Sequence, residues 1–217
     1  MINLKPSNQK KLLGLDNYIL ELIDLFKNNK LPNKILLSGS KGLGKATLAY
    51  HFINYSLSKD EDFNYDEENF KIDENNRTFK TIQNRSNPNL ILIDINVDKK
   101  SIDINQIRDL IVKLNKSSFN EKPRFVLIDN IELLNVNSIN ALLKILEEPT
   151  DKVHFILINN NKKILSTLSS RCINFKISLT HKKCLEISKN LLNDQLNNVI
   201  NEDLLNYYFT PGNIFKL

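Results

Sequence analysis

Short, nearly continuous apolar runs alternate along this chain with longer segments in which apolar residues recur at helical spacing. The runs are Lys34-Ile-Leu-Leu-Ser38, Leu90-Ile-Leu-Ile93, Arg124-Phe-Val-Leu-Ile128 and His154-Phe-Ile-Leu-Ile158. Runs of this length with no polar face predict strands buried on both sides. Helical spacing appears in Tyr18 to Phe26, Ala46 to Asn54, Ile104 to Leu114 and Ser138 to Glu148. The alternation predicts an α/β fold with a parallel sheet between helices. In such a sheet ligands gather at the carboxyl ends of the strands, where Gly39, Asp129 and Asn159 are expected to project. No internal repeat is evident.

With 217 residues and 41% hydrophobic content, the chain can bury a substantial core. Its N-terminus, Met1-Ile-Asn-Leu-Lys-Pro6, lacks the continuous apolar stretch of a secretory signal, so a cytoplasmic location with no membrane partner is expected. Cys172 and Cys184 are the two cysteines and form no Cys-x-x-Cys pair, which argues against a zinc module or a disulfide framework. Net charge is +5, unevenly spread: residues 59 to 76 hold eight acids against Lys59 and Lys71. That acidic stretch reads as a mobile surface insertion. The basic remainder is compatible with a polyanionic partner, although its aromatics are not interleaved with basic residues as in a stacking platform.

The chemistry concentrates in Gly39-Ser-Lys-Gly-Leu-Gly-Lys-Ala-Thr47. In a phosphate-binding loop, glycines let successive N–H groups turn around the phosphates, the lysine reaches the terminal phosphates, and the next hydroxyl holds Mg²⁺. Gly39, Gly42, Gly44, Lys45 and Thr47 supply the parts of such a loop, set between a strand and a helix. Ala46 stands where the metal-binding hydroxyl belongs and has no oxygen. A second gap follows the strand Phe125-Val-Leu-Ile-Asp129. Asp129 suits a carboxylate that holds Mg²⁺ or its water shell, but its neighbour Asn130 is an amide that orients water without accepting a proton. Glu132 is the candidate substitute. Together Ala46 and Asn130 predict a loop that holds ATP weakly or not at all, takes Mg²⁺ only if ATP binds, and hydrolyses poorly. No dedicated metal site is expected.

Two further motifs carry a resemblance. Asn140-Ala-Leu-Leu-Lys-Ile-Leu-Glu-Glu-Pro149 and Ser170-Arg-Cys172, with Leu31-Pro32, Asn87-Pro-Asn-Leu90 and Ile104-Asn-Gln-Ile-Arg108, resemble the bacterial clamp-loader family of the AAA+ class over roughly residues 12 to 178. The resemblance implies an AAA+ P-loop domain at 1–178 and a partial helical lid domain at 179–217, the collar domain of the family being absent from this sequence. Lys45 and the glycines match the Walker A loop, Asp129-Asn-Ile-Glu132 the Walker B box, and Asn159 the polar residue of sensor 1. Arg171 matches an arginine finger that acts in trans on a neighbouring subunit's nucleotide. Lid helices are implied at Thr180 to Leu192 and Glu202 to Tyr208, with Asn213 at the start of a sensor 2 helix where active members place arginine.

The implied function is a DNA-replication subunit, a stator that lends Arg171 to an adjacent ATPase. The implied partners are the gamma/tau ATPase and delta subunits, the sliding clamp indirectly, and primed DNA through phosphate contacts. Two alternatives stay open: an active gamma/tau-type AAA+ ATPase using Thr47 and Glu132, and an unrelated P-loop nucleotide kinase. The four-cysteine zinc module of many relatives has no counterpart in residues 58 to 89, where the acidic stretch stands instead.

Overall fold

A computed structural model describes residues 5–95, 99–116, 120–148, 152–192 and 207–214. Five parallel strands form one sheet in the order β2-β3-β4-β1-β5. They are β1 (Lys34–Ser38), β2 (Leu90–Ile93), β3 (Arg124–Ile128), β4 (Val153–Asn159) and β5 (Ile173–Lys176). Within them, side chains alternate between two cores. Ile35, Leu37, Phe125, Leu127, Ile156 and Ile158 face one core, while Leu36, Val126, Ile128, Phe155 and Leu157 face the other. The first core is covered by α1 (Asp16–Lys27), α2 (Lys45–Ser58) and α3 (Arg77–Gln83); the second by α4 (Ile104–Leu114), α5 (Val136–Glu147) and α6 (Ser166–Ser169). This is the expected α/β architecture with helices on both faces.

Caps explain where the helices begin. Asp103 and Gln106 form a reciprocal capping box at α4. Asn135 accepts from Ser138 N at the start of α5, which begins at Val136 rather than at Ser138 as the apolar spacing suggested. Thr180 caps α7 (His181–Leu191), and a last short helix, α8, spans Pro211–Ile214. Of the helix expected at Glu202 to Tyr208, residues 202–206 lie outside the described residues, and Tyr207 and Tyr208 are not helical. Pro149 also lies outside them.

Two expectations are corrected. The apolar runs mark four strands, whereas a fifth, β5, follows them and pairs with β1, Leu37 opposite Phe175. Phe175 is the sole buried residue of β5, so its sequence carries little strand signal. The acidic segment is not a mobile insertion but is folded onto α2. Tyr65 and Ile72 enter the first core, and Asn76 bonds Asn54, Phe63 O and Phe79 N while capping α3. Its backbone pairs with the N-terminal segment at Leu12 N to Phe70 O (3.0 Å) and Ile72 N to Lys10 O (2.8 Å). The acids stand on the solvent side of this turn while the apolar residues between them anchor it.

His51 locks this anchor. Fully buried, it contacts Gln9 O through Nε2 (3.1 Å) and the Tyr65 hydroxyl through Nδ1 (3.0 Å). A carbonyl accepts only, so Nε2 carries the proton and Nδ1 accepts from Tyr65. Burial pushes the His51 pKa down to about 4, opposed by the Gln9 carbonyl. The neutral ring therefore contributes stability fully present above the ordinary pKa near 6.5 and lost as pH falls toward 4, in all about 3 kcal/mol. Chemical denaturation of wild type and His51→Gln is expected to show the wild-type advantage shrinking by about 2 to 3 kcal/mol between pH 7.5 and pH 4.5. A pH-independent difference would contradict the buried neutral imidazole.

Candidate nucleotide-binding site

The glycine loop leaves the carboxyl end of β1 and feeds directly into α2. Gly44, at φ 86°, is the N-cap of α2 and offers no side-chain acceptor, so the first N–H groups of the helix are left for a ligand or solvent. Gly42, at φ 89°, meets a second constraint: Gly212 lies so close that a Cβ on Gly212 would stand 2.7 Å from Gly42 Cα. Gly212 N donates to Gly42 O (3.0 Å) and the Thr210 hydroxyl to Lys41 O (2.7 Å). Glycine on both sides is what lets α8 rest on the loop apex.

Above the loop lies a cavity of about 610 Å³, within the range of small-molecule sites. Its polar end holds Gly42, Gly44, Lys45, Ala46, Thr47 and Asp129; its apolar end is formed by Leu12, Leu13, Leu15, Ile187 and Leu191. Lys45 is 3% exposed, and its ammonium donates to Gly39 O (2.8 Å) and Ser40 O (2.7 Å). Burial lowers its pKa to about 8, with Asp129 and Glu132 opposing. Burial, and then the neighbouring Asp94 carboxylate, push Asp129 up to about 6 against the Asn130 N–H and Lys45. Gly39, Lys45 and Asp129 are thus brought together as expected.

Asn159 is not in the cavity wall. Its side chain closes a turn with Lys162, accepting from Lys162 N (3.2 Å) and donating to Lys162 O (2.9 Å). The cavity is met instead by Asn160, whose amide donates to Asn130 Oδ1 (2.8 Å) and Glu132 Oε1 (2.9 Å). The strand ends at Asn159, and position 160 falls on the opposite side of the departing chain, a one-residue difference that apolar pattern alone does not resolve.

Asn130 is held on its other side, donating to Asp94 Oδ1 (3.0 Å). Asp94, Asn130, Asn160 and Glu132 therefore form one chain of hydrogen bonds across the ends of β2, β3 and β4. Asp94 is a member that the sequence reading missed; the signal available was a carboxylate directly after a buried strand, the same signal that marked Asp129. Asn130 itself sits at φ 57°, a left-handed conformation that asparagine tolerates.

These residues do not fit Mg²⁺ as a phosphate-loop enzyme holds it. Position 46 presents a methyl group, and Asp129 Oδ1 already accepts from Asn130 N (2.8 Å). Among the described residues no three His, Cys, Asp or Glu side chains are grouped to hold a metal ion. A nucleotide fits better, through the open helix N-terminus, Lys45 and the apolar end.

Arg171 stands apart from this cavity. It is partly exposed, donating through Nε to Glu147 Oε1 (3.1 Å) and through Nη1 to Thr167 O (2.7 Å). Glu147 belongs to the same Leu-Glu-Glu motif that ends α5, so the two motifs singled out in the sequence meet in an ion pair.

Residues 15–181 match the family described as DNA polymerase III, delta subunit. The chain is 29% identical over 205 residues to DNA polymerase III subunit gamma of Buchnera aphidicola subsp. Schizaphis graminum, covering 92% of this chain and 53% of the relative. It is 30% identical over 184 residues to DNA polymerase III subunit delta' of the same organism, covering 83% and 53%. The chain thus spans about half the length of these relatives. Thermotoga maritima RuvB, a Holliday junction branch migration motor, shares the fold with a TM-score of 0.51 at 21% identity, over 87% of this chain and 56% of that one. No helix among the described residues is long and apolar enough to cross a membrane.

Three substitutions test this electrostatic layout. Asp129 carries a penalty that grows as pH rises through about 6 and is absent below its ordinary pKa near 3.8. Asp129→Asn is therefore expected to raise unfolding free energy by about 1 to 3 kcal/mol at pH 7.5, the gain vanishing toward pH 4. Asn130→Glu places a carboxylate against Asp94 and is expected to lose stability, with Asp94→Asn restoring it; denaturation of the double-mutant cycle should give a coupling of about 1 to 2 kcal/mol. Additive effects would contradict the Asp94 to Asn130 link.

Proposed function

The chain belongs to the DNA polymerase III delta subunit family, and from that membership we propose that it is a clamp-loader subunit of the delta-prime type. In this reading it is a stator: a subunit with a degenerate ATPase site that lends Arg171 to the nucleotide held by an adjacent gamma/tau ATPase. Its other partners are the delta subunit, the sliding clamp indirectly, and primed DNA, contacted at phosphates rather than bases and so in a salt-sensitive way.

The observation that carries the reading is Asn130, an amide fixed between Asp94 and Asn160 where a hydrolysing site needs a base. The candidate substitute, Glu132, is occupied by the side chain and backbone N–H of Asn160. Phosphoryl transfer relies on positioning and on charge stabilisation, and Ala46 and Asn130 weaken both. Arg171 supports the second half of the proposal. Its guanidinium lies outside the cavity of its own chain, and in this reading it would stabilise the charge developing on the phosphoryl transferred at a neighbour's site. Its pair with Glu147 is partly exposed and so weak enough to exchange for a phosphate.

The gamma/tau-type motor is the competing reading, since the similarity to the Buchnera gamma subunit extends over 92% of this chain. It would need Glu132 to leave Asn160. The test is ATP turnover by the cognate gamma/tau subunit with wild-type and Arg171→Ala chains. Wild type is expected to stimulate turnover and Arg171→Ala to abolish the stimulation, on the order of 10³-fold at the site served. Equal stimulation by both chains would remove the trans-acting arginine.

A further inference from the structure

The charge balance of the cavity does not match a metal-loaded nucleotide. Lys11, Lys41 and Lys45 line it against one carboxylate, Asp129. Among the described residues none of these lysines is in an ion pair. We propose that this cavity binds a nucleoside di- or triphosphate free of Mg²⁺, with Lys11, Lys41 and Lys45 supplying the neutralisation that the ion supplies in a hydrolysing site. The inference rests on the nucleotide-loop part of the reading above and goes beyond it.

Three features support it. The first is the missing metal ligand at Ala46, beside an Asp129 carboxylate whose Oδ1 already accepts from Asn130 N. The hydroxyl of Thr47 does not replace the one missing at 46, because one residue along a helix turns the side chain by about 100°; it lines the cavity as a donor to phosphate. The second is an intact anion cradle. The 14-residue α2 presents its N-terminus with no side-chain cap, and backbone N–H groups bind phosphate without a cation. Lys45 holds only the carbonyls of Gly39 and Ser40, neutral acceptors that a phosphate oxygen outcompetes. The third is the apolar end at Leu12, Leu13, Leu15, Ile187 and Leu191, which suits a base and selects a nucleotide over a bare polyphosphate.

Calorimetric titration of ADP and of ATP into the whole chain, in EDTA and in excess Mg²⁺, decides the matter, with inorganic pyrophosphate as the baseless control. Binding in EDTA is expected to equal or exceed that in Mg²⁺ to within about threefold, and pyrophosphate to bind more weakly than ADP. Lys11→Ala and Lys41→Ala, both at exposed positions, should each weaken binding in EDTA roughly two- to fivefold with the ligand-free melting temperature unchanged. Ala46→Ser should make binding respond to Mg²⁺ by roughly tenfold. Binding that appears only with Mg²⁺, an absence of binding in EDTA, or indifference to both lysine substitutions would each overturn the proposal. Its failure leaves the Arg171 assay untouched, since a chain with an empty loop still carries a guanidinium for its neighbour. Loss of Arg171 dependence with metal-free binding intact would remove the stator role instead.

Discussion

Parallel pairing of β1 with β4 on one side and β5 on the other is the constraint on which the site depends. It fixes Ser38 opposite Asn159 and Lys176, so the glycine loop, the end of β3 and the turn after β4 must emerge at the same edge of the sheet. A chain leaving a central strand has to reverse sharply to cover the sheet with α2, and glycines at positive φ make that reversal compatible with α8 packing above it. The anion-binding geometry is then a by-product of topology and backbone. It does not require a hydroxyl at position 46, whereas metal-assisted phosphoryl transfer draws on such side chains. Binding and hydrolysis are separable in this fold because one belongs mostly to the main chain and the other to a few side chains.

The side chains at that edge form a connected set. Asp94, Asn130, Asn160 and Glu132 are joined across three strand ends, and Asp129 stands beside them with its carboxylate disfavoured by burial and by Asp94. Asparagine at 130 is thus more than a missing base. It donates to Asp94 and accepts from the Asn160 amide that also binds Glu132, so the two carboxylates are linked through neutral groups. Restoring glutamate there without altering Asp94 works against the surrounding charges.

Much of this was legible in the sequence, for physical reasons that differ by element. Strands β1, β3 and β4 are buried on both faces, and they and the partly buried edge strand β2 appear as unbroken apolar runs. Strand β5 buries Phe175 alone, and α3 is a seven-residue helix fixed by its Asn76 cap rather than by an apolar stripe. The acidic segment misled because charge density outweighs a few anchoring residues in composition, yet Tyr65, Ile72 and Asn76 hold it to the core. At the site, Gly39, Lys45 and Asp129 could be picked out because loop chemistry dictates residue type, and the fold brings the three together. Asn160 rather than Asn159 lines the cavity, and Asp94, marked in the sequence only by following an apolar run, meets Asn130 through the lateral pairing of β2 with β3.

The most direct test of a degenerate site is single-turnover and steady-state ATP hydrolysis by the isolated chain in Mg²⁺, with Lys45→Ala as the background. Turnover indistinguishable between wild type and Lys45→Ala is the result expected of a site with alanine at 46 and an amide at 130. Repeated turnover by wild type that Lys45→Ala abolishes would contradict it and establish the chain as a motor in its own right.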